Sequence, residues 1–226
     1  MTDQDGGGEN FREHLSAALK PRLRGWLHFG SGPLALVLGL GLLVATPSEP
    51  LRIAIAVYVL TTVMLFGVSA AYHLGAGSPR VNAFLRRLDH ANIYLFIAGS
   101  YTPFAAALPS VRLRWMILGL VWGTALLGLI VRVVWTEAPR WLVTASYIGL
   151  GWVAVVYLPA LYEAFGPLTV MLLAVGGLLY TIGGVVYALK RPNPHPAWFG
   201  FHELFHAFTI VAYLVQYAAI ALAVLG

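Results

Sequence analysis

Long apolar runs alternate with short polar stretches along almost the whole chain, and the runs share one length. From the N-terminus they are Trp26–Thr46, Leu51–Tyr72, Ala91–Leu108, Trp115–Val134, Trp141–Leu161, Leu168–Leu189 and Phe201–Leu225. Each is close to the roughly 20 residues a helix needs to cross the hydrocarbon core. The pattern predicts an all-α protein, a bundle of seven transmembrane helices. The third run is the shortest and contains Pro103, but it follows Asp89 and His90 directly, so its helix is expected to start at the interface. Ahead of the first run, Phe11, Leu15, Ala18 and Leu19 share one helical face, and Asn10 and Glu13 have the spacing of a capping box. That stretch reads as an amphipathic helix on the membrane surface or as a partly ordered tail. The chain therefore divides into a tail, 1–24, and a seven-helix domain, 25–226.

Composition agrees, since 59% of residues are hydrophobic and 10% are charged, too few charges for a solvated surface. The polar, acidic start "MTDQDGGGEN" is followed by no small-residue cleavage site after the first run, so no cleaved signal is expected. The absence of cysteine excludes disulfides, thiolate ligands and a cysteine nucleophile. A net charge of +5 is no sign of nucleic acid, because the basic residues flank the apolar runs instead of forming a patch. With loops numbered alternately, Arg12, Lys20, Arg22, Arg24, Arg80, Arg86, Arg87, Arg132, Arg140, Lys190 and Arg191 fall on one side. Arg52, Arg112 and Arg114 alone fall on the other, which predicts a cytoplasmic N-terminus, an extracytoplasmic C-terminus and residence in the cell (inner) membrane.

Ionisable residues at the ends of such helices are costly unless paired, which makes them functional candidates. In this topology His73 ends the second span, Asp89 opens the third, and His202 and His206 open the seventh, all at the cytoplasmic side. At about 100° per residue, His202, His206, Thr209, Tyr213 and Gln216 form one polar stripe, and Thr62, Ser69 and His73 form another. Both stripes should face the bundle interior and end in a metal site. Three neutral imidazoles around Zn²⁺ leave a fourth position for water, whose pKa then falls to about 7. His73, His202 and His206 would be the ligands, Asp89 the general base or orienting group, and Ser69 a donor to the water or a developing oxyanion.

His202-Glu203-Leu204-Phe205-His206 also matches H-E-x-x-H, the zinc-protease signature. No Asp, Glu or His follows His206 to supply a downstream ligand, and Glu203 points about 100° away from the line of the two histidines. That angle leaves a role as base open and fits equally well an interfacial glutamate held by nearby arginines. His90 lies on another face from Asp89 and reads as a structural histidine, His28 as either a neighbour of the site or structural, and His14 and His195 as exposed. Pro103 is expected to kink the third helix, Gly119 and Gly123 to permit close helix contact, and Trp26, Trp115, Trp135 and Trp141 to form an interfacial belt.

The pieces "RGWLHFGSG", "SAAYH", "LDHANIYLFIAGSYTPF" and "FGFHELFHAF" resemble the blocks of the bacterial hemolysin III family. That family is related to the progestin and adiponectin receptors and, more distantly, to alkaline ceramidases within the CREST superfamily of membrane hydrolases. The resemblance runs from about Arg24 to the end. It implies a seven-helix bundle with zinc held near the cytoplasmic face by His73, His202 and His206, Asp89 and Ser69 standing beside it, and a role in membrane lipid homeostasis. The expectation is a zinc-dependent hydrolase of lipid amides, acting on a membrane lipid. The alternatives are a sensor of membrane state with structural zinc, or a cytolytic protein.

Overall fold

The fold comes from a computed structural model that describes residues 21, 23–75, 77–135, 137–195 and 197–226. The amphipathic stretch expected within Asn10–Lys20, and with it His14, lies outside the described residues. The helices are α1 (Trp26–Ala45), α2 (Glu49–Leu74), α3 (Pro79–Ala107), α4 (Val111–Val134), α5 (Arg140–Gly151), α6 (Leu158–Leu189) and α7 (Phe201–Leu225). A 3₁₀ segment, Trp152–Tyr157, joins α5 to α6, and no strand occurs among the described residues. Five helical stretches are long and apolar enough to cross a membrane: α1, α2, α4, α7 and the run Arg140–Leu189 taken as one.

Short polar links set the starts of three helices. Ser48, Ser78 and Ser110 accept N-cap hydrogen bonds from Leu51, Val81 and Leu113 at 3.4, 3.5 and 3.3 Å. Each cap contributes about 1 kcal/mol, and Pro50 and Pro79 sit in first turns where a missing N–H costs nothing. Because of the Ser78–Pro79 start, α3 begins ten residues before Asp89. Asp89 and His90 therefore lie inside a helix and do not open it. The first half of α3 carries Arg80, Arg86 and Arg87 and is polar, and the helix runs on through buried Pro103 to Ala107.

A straight helix from Arg140 to Leu189 would be about 75 Å long, more than twice the hydrocarbon thickness. The chain instead reverses at Gly166, whose φ of 75° only glycine adopts freely and which precedes helix-breaking Pro167. Arg140 then lies over Tyr187, and Trp152 Nε1 donates to Thr181 Oγ1 at 2.9 Å, so the two halves run antiparallel. The 3₁₀ segment, which hydrophobic spacing did not reveal, has an identifiable cause in Tyr101 of α3. Its hydroxyl donates to the Gly151 carbonyl at 2.6 Å and accepts from Ala154 N–H at 2.8 Å, inserting into the helical ladder.

Sequential neighbours pack as antiparallel pairs, and α7 closes the bundle against α6, α1 and α3. Both polar stripes turn inward as expected: Thr62, Ser69 and His73 on α2 are buried, as are His206, Thr209 and Tyr213 on α7. Part of each stripe satisfies itself, since Thr62 and Thr209 donate to the carbonyls of Tyr58 and Phe205 at 2.7 and 3.0 Å. The outer faces are apolar, with Val37, Leu60, Leu127 and Val134 exposed, and Trp26, Trp115, Trp135 and Trp141 are exposed at or next to helix ends. Gly119 and Gly123 also face outward, with no neighbour within reach of an added methyl. They make no close contact with another helix among the described residues.

Candidate metal centre

Three local devices bring the histidines together. Gly25, at φ 88°, lets the segment before α1 run against the end of α2, where any Cβ would strike His73 and Leu74. Asn193 Oδ1 accepts from Phe201 N–H at 3.0 Å and ties the preceding loop to the first turn of α7. Glu203, 1% exposed, accepts from Gly200 N–H at 2.8 Å as a helix cap and from Arg24 Nε at 2.8 Å. With both carboxylate oxygens engaged, Glu203 locks α7 to the start of α1 and faces away from the histidines. This is the arginine-held glutamate anticipated from its angle on the helix.

His73, His202 and His206 converge, with donor nitrogens all within 4.8 Å of one another, and could hold a metal ion. The Nε2 atoms of His73 and His202 are 3.1 Å apart. Two such nitrogens suit one shared proton or two lone pairs directed at a cation. A tetrahedral ion held at about 2.0–2.1 Å sets neighbouring nitrogens about 3.3 Å apart, so the donor set fits a metal of this type. Among the described residues no other His, Asp or Glu joins this group.

His28 is the nearest candidate for a fourth donor, and geometry rules it out. Its ring stacks on His206 at 3.7 Å with planes 5° apart. Imidazole lone pairs lie in the ring plane, so parallel rings at that separation cannot aim at one ion. His28 instead backs His206 and borders Phe66 edge-on, and its buried ring nitrogens have no partner among the described residues. Sequence reasoning left its role open, because stacking between α1 and α7 has no signature in either segment. His90 is hydrogen-bonded through both ring nitrogens: Nδ1 meets the Arg86 carbonyl at 2.7 Å and Nε2 meets the Tyr187 hydroxyl at 3.3 Å. His195 is exposed in the loop before α7, where it forms an isolated antiparallel bridge with Phe199.

A cavity of about 220 Å³ opens beside the triad, and His28, Ser69, Asp89, His202 and His206 line it. The rest of the lining is mainly apolar, with Phe96, Ile97, Phe104, Ile148 and Leu173 among it, and includes the polar Ser100, Thr144, Thr181 and Gln216. Ser69 and Asp89 line the same cavity. Asp89 thus stands beside the triad without belonging to the group of donors.

The helices and the triad define a multi-pass helical membrane protein with a three-histidine group, two of its members buried and one half-buried, able to hold a metal ion. The chain belongs to the haemolysin-III-related family, whose model matches residues 16–217 and so includes every residue of the site. It is 32% identical over 147 residues to hemolysin-3 of Bacillus cereus, covering 65% of this chain and 67% of that one. It is 33% identical over 118 residues to a hemolysin-3 homolog of Bacillus subtilis (strain 168), covering 52% of this chain and 55% of the relative. The chain thus spans about two thirds of the first relative's length and about half of the second's.

Proposed function

We propose that the chain is a zinc-dependent hydrolase of lipid amides, acting in membrane lipid homeostasis. The observation that carries this reading is the three converging imidazoles, two of which line a mainly apolar cavity together with a carboxylate and a hydroxyl. An acyl chain suits the apolar lining, and the imidazoles, Asp89 and Ser69 suit the amide carbonyl. Bound zinc would polarise that carbonyl and lower the pKa of a water molecule toward about 7. Asp89 takes the proton of the attacking water and returns it to the departing nitrogen as the C–O bond forms and the C–N bond breaks. Ser69, which lines the same cavity, donates its hydroxyl to the attacking water or to the developing oxyanion. A site with three protein donors keeps a position open, whereas a purely structural zinc site has four. The position of Asp89 outside the donor group therefore favours catalysis over a sensor with structural zinc.

The test is turnover of a long-chain N-acyl amide by purified, zinc-loaded protein in detergent, with fatty acid release measured. Release that stops on chelation and returns with zinc is the expected result. Fully loaded protein that cleaves neither amide nor ester would transfer the proposal to the sensor reading.

The same proposal includes seven crossings of the cell (inner) membrane, with the N-terminus and the triad on the cytoplasmic side. The reversal at Gly166, which divides Arg140–Leu189 into two antiparallel halves, supports the count. The distribution of arginines supports the direction, since Arg52 and Arg114 stand at the ends of α2 and α4 remote from His73. A reporter fused after Gly226 should read as extracytoplasmic, and one inserted within Asn193–His195 as cytoplasmic. The reverse pattern would place the triad on the outer side.

A further inference from the structure

The triad has a second opening. Across His73 and His202 from the apolar cavity lies an open recess of about 480 Å³, bordered by Arg24, Arg86 and Arg140. It shares Asp89, His90, Tyr187 and His202 with the cavity, so the two spaces meet at the site. The three arginines come from separate places: the segment before α1, the first half of α3 and the first residue of α5. Arg24 is committed to Glu203 at 2.8 Å. Arg140 lies over the Tyr187 ring at 4.8 Å and spends one donor on the Tyr187 carbonyl at 3.5 Å. Neither Arg86 nor Arg140 has a carboxylate within ion-pair distance among the described residues.

The rule that basic residues collect on the inner side accounts for which loops carry them. It does not account for arginines from several elements converging on one recess that borders a single carboxylate, Asp89. Like charges gathered in this way repel, and an anion offsets that repulsion. The planar guanidinium fork, with its fixed donors, matches phosphate oxygens in particular.

We propose that the recess is an anion site for the phosphate-bearing head of an amphiphile whose acyl chain lies in the apolar cavity, with its amide at the triad. This rests on the hydrolase reading above and narrows its substrate class to N-acyl lipids with a phosphate in the head. After cleavage the head leaves through the recess to water, and the fatty acid leaves through the cavity to the bilayer.

The test compares two probes with the same fluorescent acyl chain, an N-acyl ethanolamine and its O-phosphate, bound to the full chain in nanodiscs. The phosphate probe should bind at least about tenfold more tightly at low salt, the energy of one charge-assisted hydrogen bond. Rising salt should narrow the gap. Arg86→Gln and Arg140→Gln should each move the two affinities toward parity, while Arg52→Gln, at the other end of the bundle, should change nothing. Arg86 is exposed, so its replacement keeps the fold even if loss of the Arg140 stack does not. The preference should persist in protein stripped of zinc by a chelator, and inorganic phosphate should compete only at far higher concentration than the lipid probe. Equal affinity for both probes, a preference untouched by Arg86→Gln, or one that vanishes with the metal would overturn the proposal. Competition by inorganic phosphate at the same concentration as the lipid would assign the site to free phosphate and overturn the lipid head. Cleavage of neither probe with the preference intact removes the hydrolase reading and leaves the anion site. Cleavage without the preference removes the anion site alone.

Discussion

Alanine at any one of His73, His202 or His206 is expected to reduce bound zinc from close to one ion per chain to below about a tenth of that. Even residues that only orient a metal ligand change affinity by about 10–100-fold when replaced, and the loss of one of three donors costs more. His202 gives the cleanest reading, because it is partly exposed and its loss leaves the fold's core intact. His206 is 3% exposed and stacked on His28, so its replacement also opens a cavity and lowers stability. His90→Ala should keep the metal, because both ring nitrogens are already engaged by Arg86 and Tyr187. Metal analysis of the purified variants settles the ligand set. Retention in His73→Ala together with loss in His90→Ala would replace it.

Asp89→Asn and Glu203→Gln should separate chemistry from architecture. Asparagine keeps the size and hydrogen-bonding capacity of Asp89 but cannot take a proton. Turnover should fall by about 10²–10⁴-fold with zinc content unchanged. Glu203→Gln removes the charge of a buried ion pair and weakens the cap on Gly200, so it should cost about 2–3 kcal/mol of stability. Turnover per zinc-loaded chain should stay near the unmodified value, since both Glu203 oxygens point at Arg24 and Gly200. Arg24→Ala should reproduce the instability, because it breaks the same pair from the other side. Thermal unfolding and lipid-amide turnover, measured on the same preparations, give both answers. The reverse ranking, with Glu203→Gln inactive and Asp89→Asn active, would restore a protease-like role to H-E-x-x-H.

The stripes were legible because a helix repeats every 3.6 residues and lipid penalises any polar side chain that faces it. Thr62, Ser69 and His73 had to turn inward together, as did His202, His206, Thr209, Tyr213 and Gln216, and the structure buries all of them but His202 and Gln216, which are half-buried. Element boundaries were less legible. Asp89 marked the end of apolar character but not the end of the helix, because α3 continues three turns into the polar region on the strength of Ser78 and Pro79. The 3₁₀ segment was hidden because its cause, the Tyr101 hydroxyl, belongs to a different helix.

By itself the sequence determined the helical class of the chain, the inward faces of α2 and α7, and the residue types able to bind a metal. Each of these follows from local spacing and from the solvent the chain must satisfy. Only the tertiary structure decided that His73 and His202 meet at 3.1 Å, that His28 stacks where it cannot ligate, and that Glu203 is an anchor for Arg24. These depend on how α1, α2 and α7 approach one another through Gly25 and the capped start of α7. Helical periodicity gives the direction of a side chain about its own axis, and only packing gives the distance to the next one.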